Sequence, residues 1–268
     1  MSERLDIADI WVDPLTMDQA LERVTAFVEK GKHPHAIFAA NPEKNFSVPK
    51  DPMLYGIFRD AEMIIPDGIG VVLAARLLYG AKISRVPGVE LMEQICRLSS
   101  EKGFRVFLYG AREEVNRKAE QVLKERYPGL IVAGRSSGFV TDEEMPELIQ
   151  TINESRADIL FIGLGSPRQE RWYATYRDQL ATVRVCQGIG GTLDAVTGNV
   201  KRAPELWCRL NAEWLYRLLK EPSRMKRQKV LPLFAGRVIV TKLRQIIRSE
   251  RKAEAISASK ITDSRKVA

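Results

Sequence analysis

The sequence is poor in the side chains that most often carry chemistry or hold metals. Its 268 residues include three cysteines, Cys96, Cys186 and Cys208, and two histidines, His33 and His35. The cysteines are far apart and odd in number. That speaks against a disulfide framework or a zinc site and for buried free thiols in a reducing compartment. With both histidines beside one predicted strand, a histidine-based nucleophile triad has few parts available. No Asp-x-Asp pair offers paired carboxylates to a divalent cation, and no Cys/His cluster has metal spacing. Neither G-x-G-x-x-G nor a P-loop occurs. No window of 18 uncharged apolar residues exists, so no membrane-spanning helix is expected. The charged start "MSERLDIADIWVD" predicts no secretory leader, and the expected compartment is the cytoplasm.

What is present is unevenly distributed. Residues 220–268 hold 14 basic and 4 acidic side chains, a net of +10, whereas residues 1–219 hold 28 and 30, a net of −2. A near-neutral body thus carries a basic C-terminal arm, the kind that meets nucleic acid or an anionic membrane face. Within the body, apolar runs alternate with helical patterns. Strands are predicted at 36–40, 62–66, 105–110, 130–134, 158–165 and 183–191. Helices are predicted between them, including one over 88–103 that stops on glycine and one opened by Thr141 as N-cap. This alternation predicts an α/β domain with a mostly parallel sheet covered by helices on both faces. The pattern changes near Asn199. In 229–252, Phe234, Val238, Ile239, Leu243, Ile246 and Ile247 fall close to helical spacing, with Arg237, Arg244, Arg248 and Arg251 largely off the stripe. Such a helix suits a membrane interface, or it packs on the body or a second subunit. The expected organisation is a body over 1–198, a helical basic appendage over 199–252 and a frayed tail over 253–268.

Three loops fall at C-terminal ends of predicted strands, where open parallel sheets bind ligands. They are "PDG" (66–68), "GLGSPRQE" (163–170) and "GIGGTLD" (188–194). The glycines of the last two, Gly190 among them, expose backbone N–H groups suited to phosphate oxygens. Gln169 can both donate and accept. Arg168 and Arg171 suit phosphate or water. Asp67 is either an N-cap for the helix that follows it or a base at a strand end.

The segments "ANPEKNF", "IIPDGIGVV", "RVPGVELM", "VFLYGA", "FIGLGSPRQERW" and "GIGGTLDAVTGNVKRAPELWCRLNAEWLYRLLKEPSRMKRQ" resemble, in order, the bacterial WecG/TagA/CpsF glycosyltransferases, over roughly residues 5–230. The resemblance implies a Rossmann-like body and inverting transfer from a nucleotide sugar, usually a UDP-sugar, with N-acetylmannosamine, its uronic acid and glucose all open as donors. The implied acceptor is a polyprenyl-diphosphate-linked sugar at the cytoplasmic face of the membrane, in cell-surface polysaccharide synthesis. It also implies that the basic arm, residues 220–252, contacts the anionic membrane surface. No cofactor, no metal and no nucleic-acid partner are expected, and a homo-oligomer is left open. By motif, Asp67 matches the catalytic base, Asn41 a donor-pocket residue and Arg85 a pocket arginine. Gln169 matches a nucleotide contact, with Asp194 a further binding candidate. Arg217, Arg224 and Arg227 match appendage arginines for diphosphate and lipid head groups. One departure is Ala39, where some relatives carry threonine. The rival readings are a non-catalytic nucleic-acid or membrane binder, and an oxidoreductase that the two broken fingerprints disfavour.

Overall fold

The computed structural model describes residues 3–200, 204, 207, 215, 216 and 229–264, with side chains described as far as residue 248. A short antiparallel hairpin, β1 (Leu5–Asp6) and β2 (Trp11–Val12), precedes helix α1 (Met17–Lys30). Thr16 and Gln19 close a reciprocal capping box on α1. Then come β3 (His35–Ala40), α2 (Lys44–Ser47), α3 (Pro52–Asp60), β4 (Met63–Pro66), α4 (Ile69–Tyr79) and α5 (Gly88–Lys102). The chain continues through β5 (Arg105–Gly110), α6 (Glu113–Arg126), β6 (Ile131–Ser136), α7 (Met145–Glu154), β7 (Ile159–Gly163), α8 (Arg168–Tyr176), β8 (Val185–Gly188) and α9 (Thr192–Val196). A long helix, α10 (Val230–Ser264), ends the described chain.

Strands β3 to β8 form one sheet in the order β4-β3-β8-β7-β5-β6, and every pairing is parallel. Parallel strands need helical crossovers, and these cover both faces, so successive strand residues are buried on alternate sides. Ala36, Phe38 and Ala40 of β3 join one core with α3, α4, α7, α8 and α10. Ile37 joins the other, with α1, α5, α6 and α9. This is the α/β architecture expected from the alternation, with a Rossmann-like parallel sheet. Boundaries differ by up to three residues, most at the strand expected over 183–191, which spans Val185–Gly188. Thr141 and Glu144 exchange hydrogen bonds a turn early, and α7 itself starts at Met145. The strand expected at 130–134 runs over Ile131–Ser136.

Helix α10 departs from the single stripe expected for it. Phe234 and Val238 face the body and are buried, while Ile239, Leu243, Ile246 and Ile247 lie on the opposite, exposed side with Leu233 and Val240. The apolar residues occupy two arcs, because the i, i+4 pair 234/238 and the set 239/243/247 point about 140–180° apart on a 100° wheel. Arg237 also turns inward. Its guanidinium donates to the Asn45 carbonyl at 2.7 Å, pairs with Asp9 and covers the Phe46 ring. The helix runs on through 253–264, the span whose composition suggests a tail.

Candidate active site

The sheet topology opens a crevice. After β3 the chain enters α2 and α3 on one face, whereas after β8 it enters α9 on the other. Neighbouring strands whose following helices diverge leave a gap at their C-terminal ends, and open α/β sheets bind ligands there. The loops bordering this gap hold Asn41, Asp67 and the 188–194 segment. Both histidines sit at the other end of the sheet, where His35 begins β3 and stacks between Phe27 and His33. They are therefore remote from any chemistry in the crevice.

Asp67 follows β4 directly, half-buried, with its backbone N–H donating to the carbonyls of Ala40 (3.2 Å) and Ile65 (3.0 Å). Its carboxylate Oδ1 accepts from the Gly88 N–H at 3.0 Å. Asp67 thus caps a helix, but it is α5, 21 residues onward, and not α4, whose cap residue Gly68 has no side-chain bond. The end charge of a 15-residue helix and the N–H both favour a negative group at this position. Arg85 Nε donates to the Asp67 carbonyl at 2.8 Å, and Val86 N donates to the Pro66 carbonyl at 2.9 Å, which fastens the 85–88 segment along the strand end. Asn41 caps the turn after β3, its Oδ1 accepting from Lys44 N at 3.2 Å. It lies against the Asp67 loop, where a β-carbon on Gly68 would sit 3.5 Å from Asn41 Cβ. Asn41, Asp67 and Arg85 therefore converge. Beneath them Ala39 pairs with Ile65 of the edge strand β4 and is half-buried, packed at the margin of the core.

Gln169 and Gly190 meet on the opposite wall. Gln169 is 6% exposed, and its Oε1 accepts from Gly190 N at 2.9 Å. It crosses the tip of β8 where only glycine leaves room, since a β-carbon on Gly188 would lie 2.6 Å from Gln169 Nε2. Gln169 thereby braces the Gly190 turn, with its oxygen engaged inside the protein. Asp194 lies half-buried in α9, and its carbonyl accepts from Val200 N at 3.1 Å. Arg217, Arg224 and Arg227 lie outside the described residues. Two features escaped sequence reasoning. Lys44 and Glu170, 8% and 1% exposed, form an ion pair at 2.5 Å, and Ser166 accepts from the same ammonium. This ties the loop after β3 to the start of α8. Gln187, 1% exposed, lies on the face of β8 shared with Asp67's cap and donates to the Gly88 carbonyl at 3.0 Å. Among the described residues there is no group of three or more His, Cys, Asp or Glu side chains placed to hold a metal.

A model of the glycosyl transferase WecG/TagA/CpsF family matches residues 5–248. The chain is 37% identical over 203 residues to a Bacillus spizizenii protein, covering 76% of this chain and 78% of the relative. It is 36% identical over 203 residues to a Bacillus subtilis protein, with the same coverage of 76% and 78%. A Staphylococcus aureus protein is 34% identical over 241 residues, covering 89% and 93%. All three relatives are named N-acetylglucosaminyldiphosphoundecaprenol N-acetyl-beta-D-mannosaminyltransferase. A parallel sheet with its carboxylate at a strand end, matched over nearly the whole chain by that family and by relatives of nearly its own length, leads to one conclusion: the chain belongs to the WecG/TagA/CpsF family of glycosyltransferases.

Proposed function

We propose that the chain transfers N-acetylmannosamine from its UDP-linked form to N-acetylglucosamine carried on undecaprenyl diphosphate, with Asp67 as general base. The observation that carries this reading is the Asp67 carboxylate, half-buried at the mouth of the β3/β8 crevice and held at the N-terminus of α5 by Gly88 N. One carboxylate oxygen removes the acceptor hydroxyl proton. The hydroxyl oxygen then bonds to the anomeric carbon, and the bond from that carbon to the UDP oxygen breaks with its electron pair on the leaving diphosphate. From an α-linked donor this single displacement gives a β product, the configuration in the relatives' names. Backbone N–H groups of the 188–192 turn and the arginines Arg85, Arg217, Arg224 and Arg227 meet the diphosphate charge in this scheme. The reaction proceeds without a bound metal, as the lack of an Asp-x-Asp pair suggests.

In this reading the acceptor's lipid brings the reaction to a membrane surface. No helix among the described residues is long and apolar enough to cross a membrane. The outer arc of α10, with Leu233, Val240, Leu243 and Ile247 exposed beside Arg244 and Arg248, supports peripheral attachment.

The test is a donor panel. UDP-N-acetylmannosamine, its uronic acid, UDP-N-acetylglucosamine and UDP-glucose are each incubated with a short-chain polyprenyl-diphosphate N-acetylglucosamine, with and without chelator, and products are weighed by mass spectrometry. The expected result is one N-acetylhexosamine added from UDP-N-acetylmannosamine, unaffected by chelator. Turnover of a different donor alone overturns the sugar assignment, and loss of turnover with chelator overturns metal independence.

A further inference from the structure

We propose that Gln187 is a positioning residue for Asp67, acting through Gly88; the inference rests on Asp67 being the base. Gln187 is the penultimate residue of β8 and is 1% exposed, so its amide does not reach a bound sugar. Its Nε2 donates to the Gly88 carbonyl at 3.0 Å, and the Gly88 N–H donates to Asp67 Oδ1 at 3.0 Å. Two hydrogen bonds therefore connect the floor of the sheet to the carboxylate through one residue.

Gly88 needs such a tether. It opens α5 without a side chain, and Pro87 before it provides no side-chain cap. A β-carbon there would meet only Ile65 Cδ1, at 3.9 Å, so packing does little to fix the peptide. Glycine at a helix start is free to rotate its N–H away from an acceptor. Arg85 and Val86 secure the segment just upstream, and Gln187 adds a side-chain bond to the Gly88 carbonyl beyond the ladder of α5.

The amide is also out of place as a purely structural group. Gln187 Oε1 is buried and has no hydrogen-bond partner among the described residues. Its strand neighbours on the same face, Val185 and the paired Ile37 and Phe161, are apolar. An unpartnered buried oxygen opposes folding, and a side chain such as methionine would fill the same space without that cost. The role that remains for the amide is the bond to Gly88.

The test compares Gln187→Met with the native protein and with Asp67→Asn, measuring kcat, donor KM, the pH profile of kcat/KM and Tm. Losing the tether weakens the N–H bond that favours the Asp67 anion. The acidic limb of the profile should then move up by about 0.5–1 pH unit. The kcat at neutral pH should fall roughly five- to thirtyfold, less than the 10²–10⁴ expected on losing the base itself, with donor KM changed less than about twofold and Tm level or higher. Gln187→Leu, a second apolar replacement without a donor, should move the limb in the same direction and guards against a folding defect peculiar to the methionine variant. An unmoved acidic limb with unchanged kcat overturns the proposal, as does a loss of rate that only tracks a loss of Tm. If Asp67→Asn abolishes activity while Gln187→Met is silent, only the Gln187 assignment falls. If Asp67→Asn is active, the base assignment falls with it.

Discussion

Replacing Asp67 by asparagine separates its two roles. The amide keeps an oxygen at the position that accepts from Gly88 N at 3.0 Å, so the cap on α5 survives. Arg85 Nε donates to the Asp67 backbone carbonyl, which the substitution leaves in place. What is lost is the negative charge and the ability to take a proton. A charge at a helix N-terminus contributes roughly 0.3–1 kcal/mol. In a protein of this size that lowers Tm by no more than about 4 °C. A positioned general base contributes roughly 10²–10⁴ in rate, which at 1.36 kcal/mol per decade is about 2.7–5.4 kcal/mol of barrier. The expected variant is therefore a folded protein with kcat down by about two to four decades. The assay is initial UDP release at saturating donor and acceptor, alongside a thermal melt of the same sample. A rate within about tenfold of native, with Tm preserved, would show that Asp67 is a cap and no more.

Four further outcomes are expected. Lys44→Met strands Glu170, which is 1% exposed, and should cost about 3–5 kcal/mol; adding Glu170→Met should restore more than half of it in urea unfolding. Gly110→Ala would place a β-carbon 2.5 Å from the Gly163 carbonyl carbon at a φ of +129°, and should cost roughly 2–5 kcal/mol by crowding and strain together. The Cys96 and Cys186 thiols are buried, and burial pushes both well up from the ordinary thiol range. Peptide mapping after iodoacetamide at pH 8 should find both unmodified in native protein and both alkylated in urea. Leu243→Asp with Ile247→Asp alters side chains 53% and 49% exposed, and should abolish co-sedimentation with anionic vesicles while leaving Tm unchanged.

The sheet was legible because a parallel strand covered on both faces is written as an unbroken apolar run, as in "ILFIG" and "RVFLYG". The position of Asp67 was legible for the same reason, since the run before it ends at Pro66. Its partner was not, because the Gly88 N–H arrives from 21 residues away by way of a loop. Gln187 was readable only as a polar residue inside an apolar strand just before a glycine, a signal passed over in "VRVCQG". The Lys44–Glu170 pair joins two motifs that were each noticed separately, and no local rule joins residues 126 apart. The hairpin at 5–12 was hidden because Ala8 and Asp9 take positive φ without being glycine. Buried Asn45 stabilises that turn from outside by donating to the Ile7 and Ala8 carbonyls. For α10, periodicity marks apolar positions but does not tell which arc meets the body.

The half-buried Ala39 gives this scaffold a separable adjustment. Most positions in the middle of a parallel sheet are locked by neighbours on both sides, so a new atom there disturbs the core. Residue 39 is half-buried, packed at the margin of the core, while its backbone pairs with Ile65 in the ladder. A half-buried position leaves an added methyl or hydroxyl an exposed side that fully buried strand positions lack. A library of Ser, Thr, Val and Cys at residue 39, read by donor preference and Tm together, tests whether this position can be varied independently of folding.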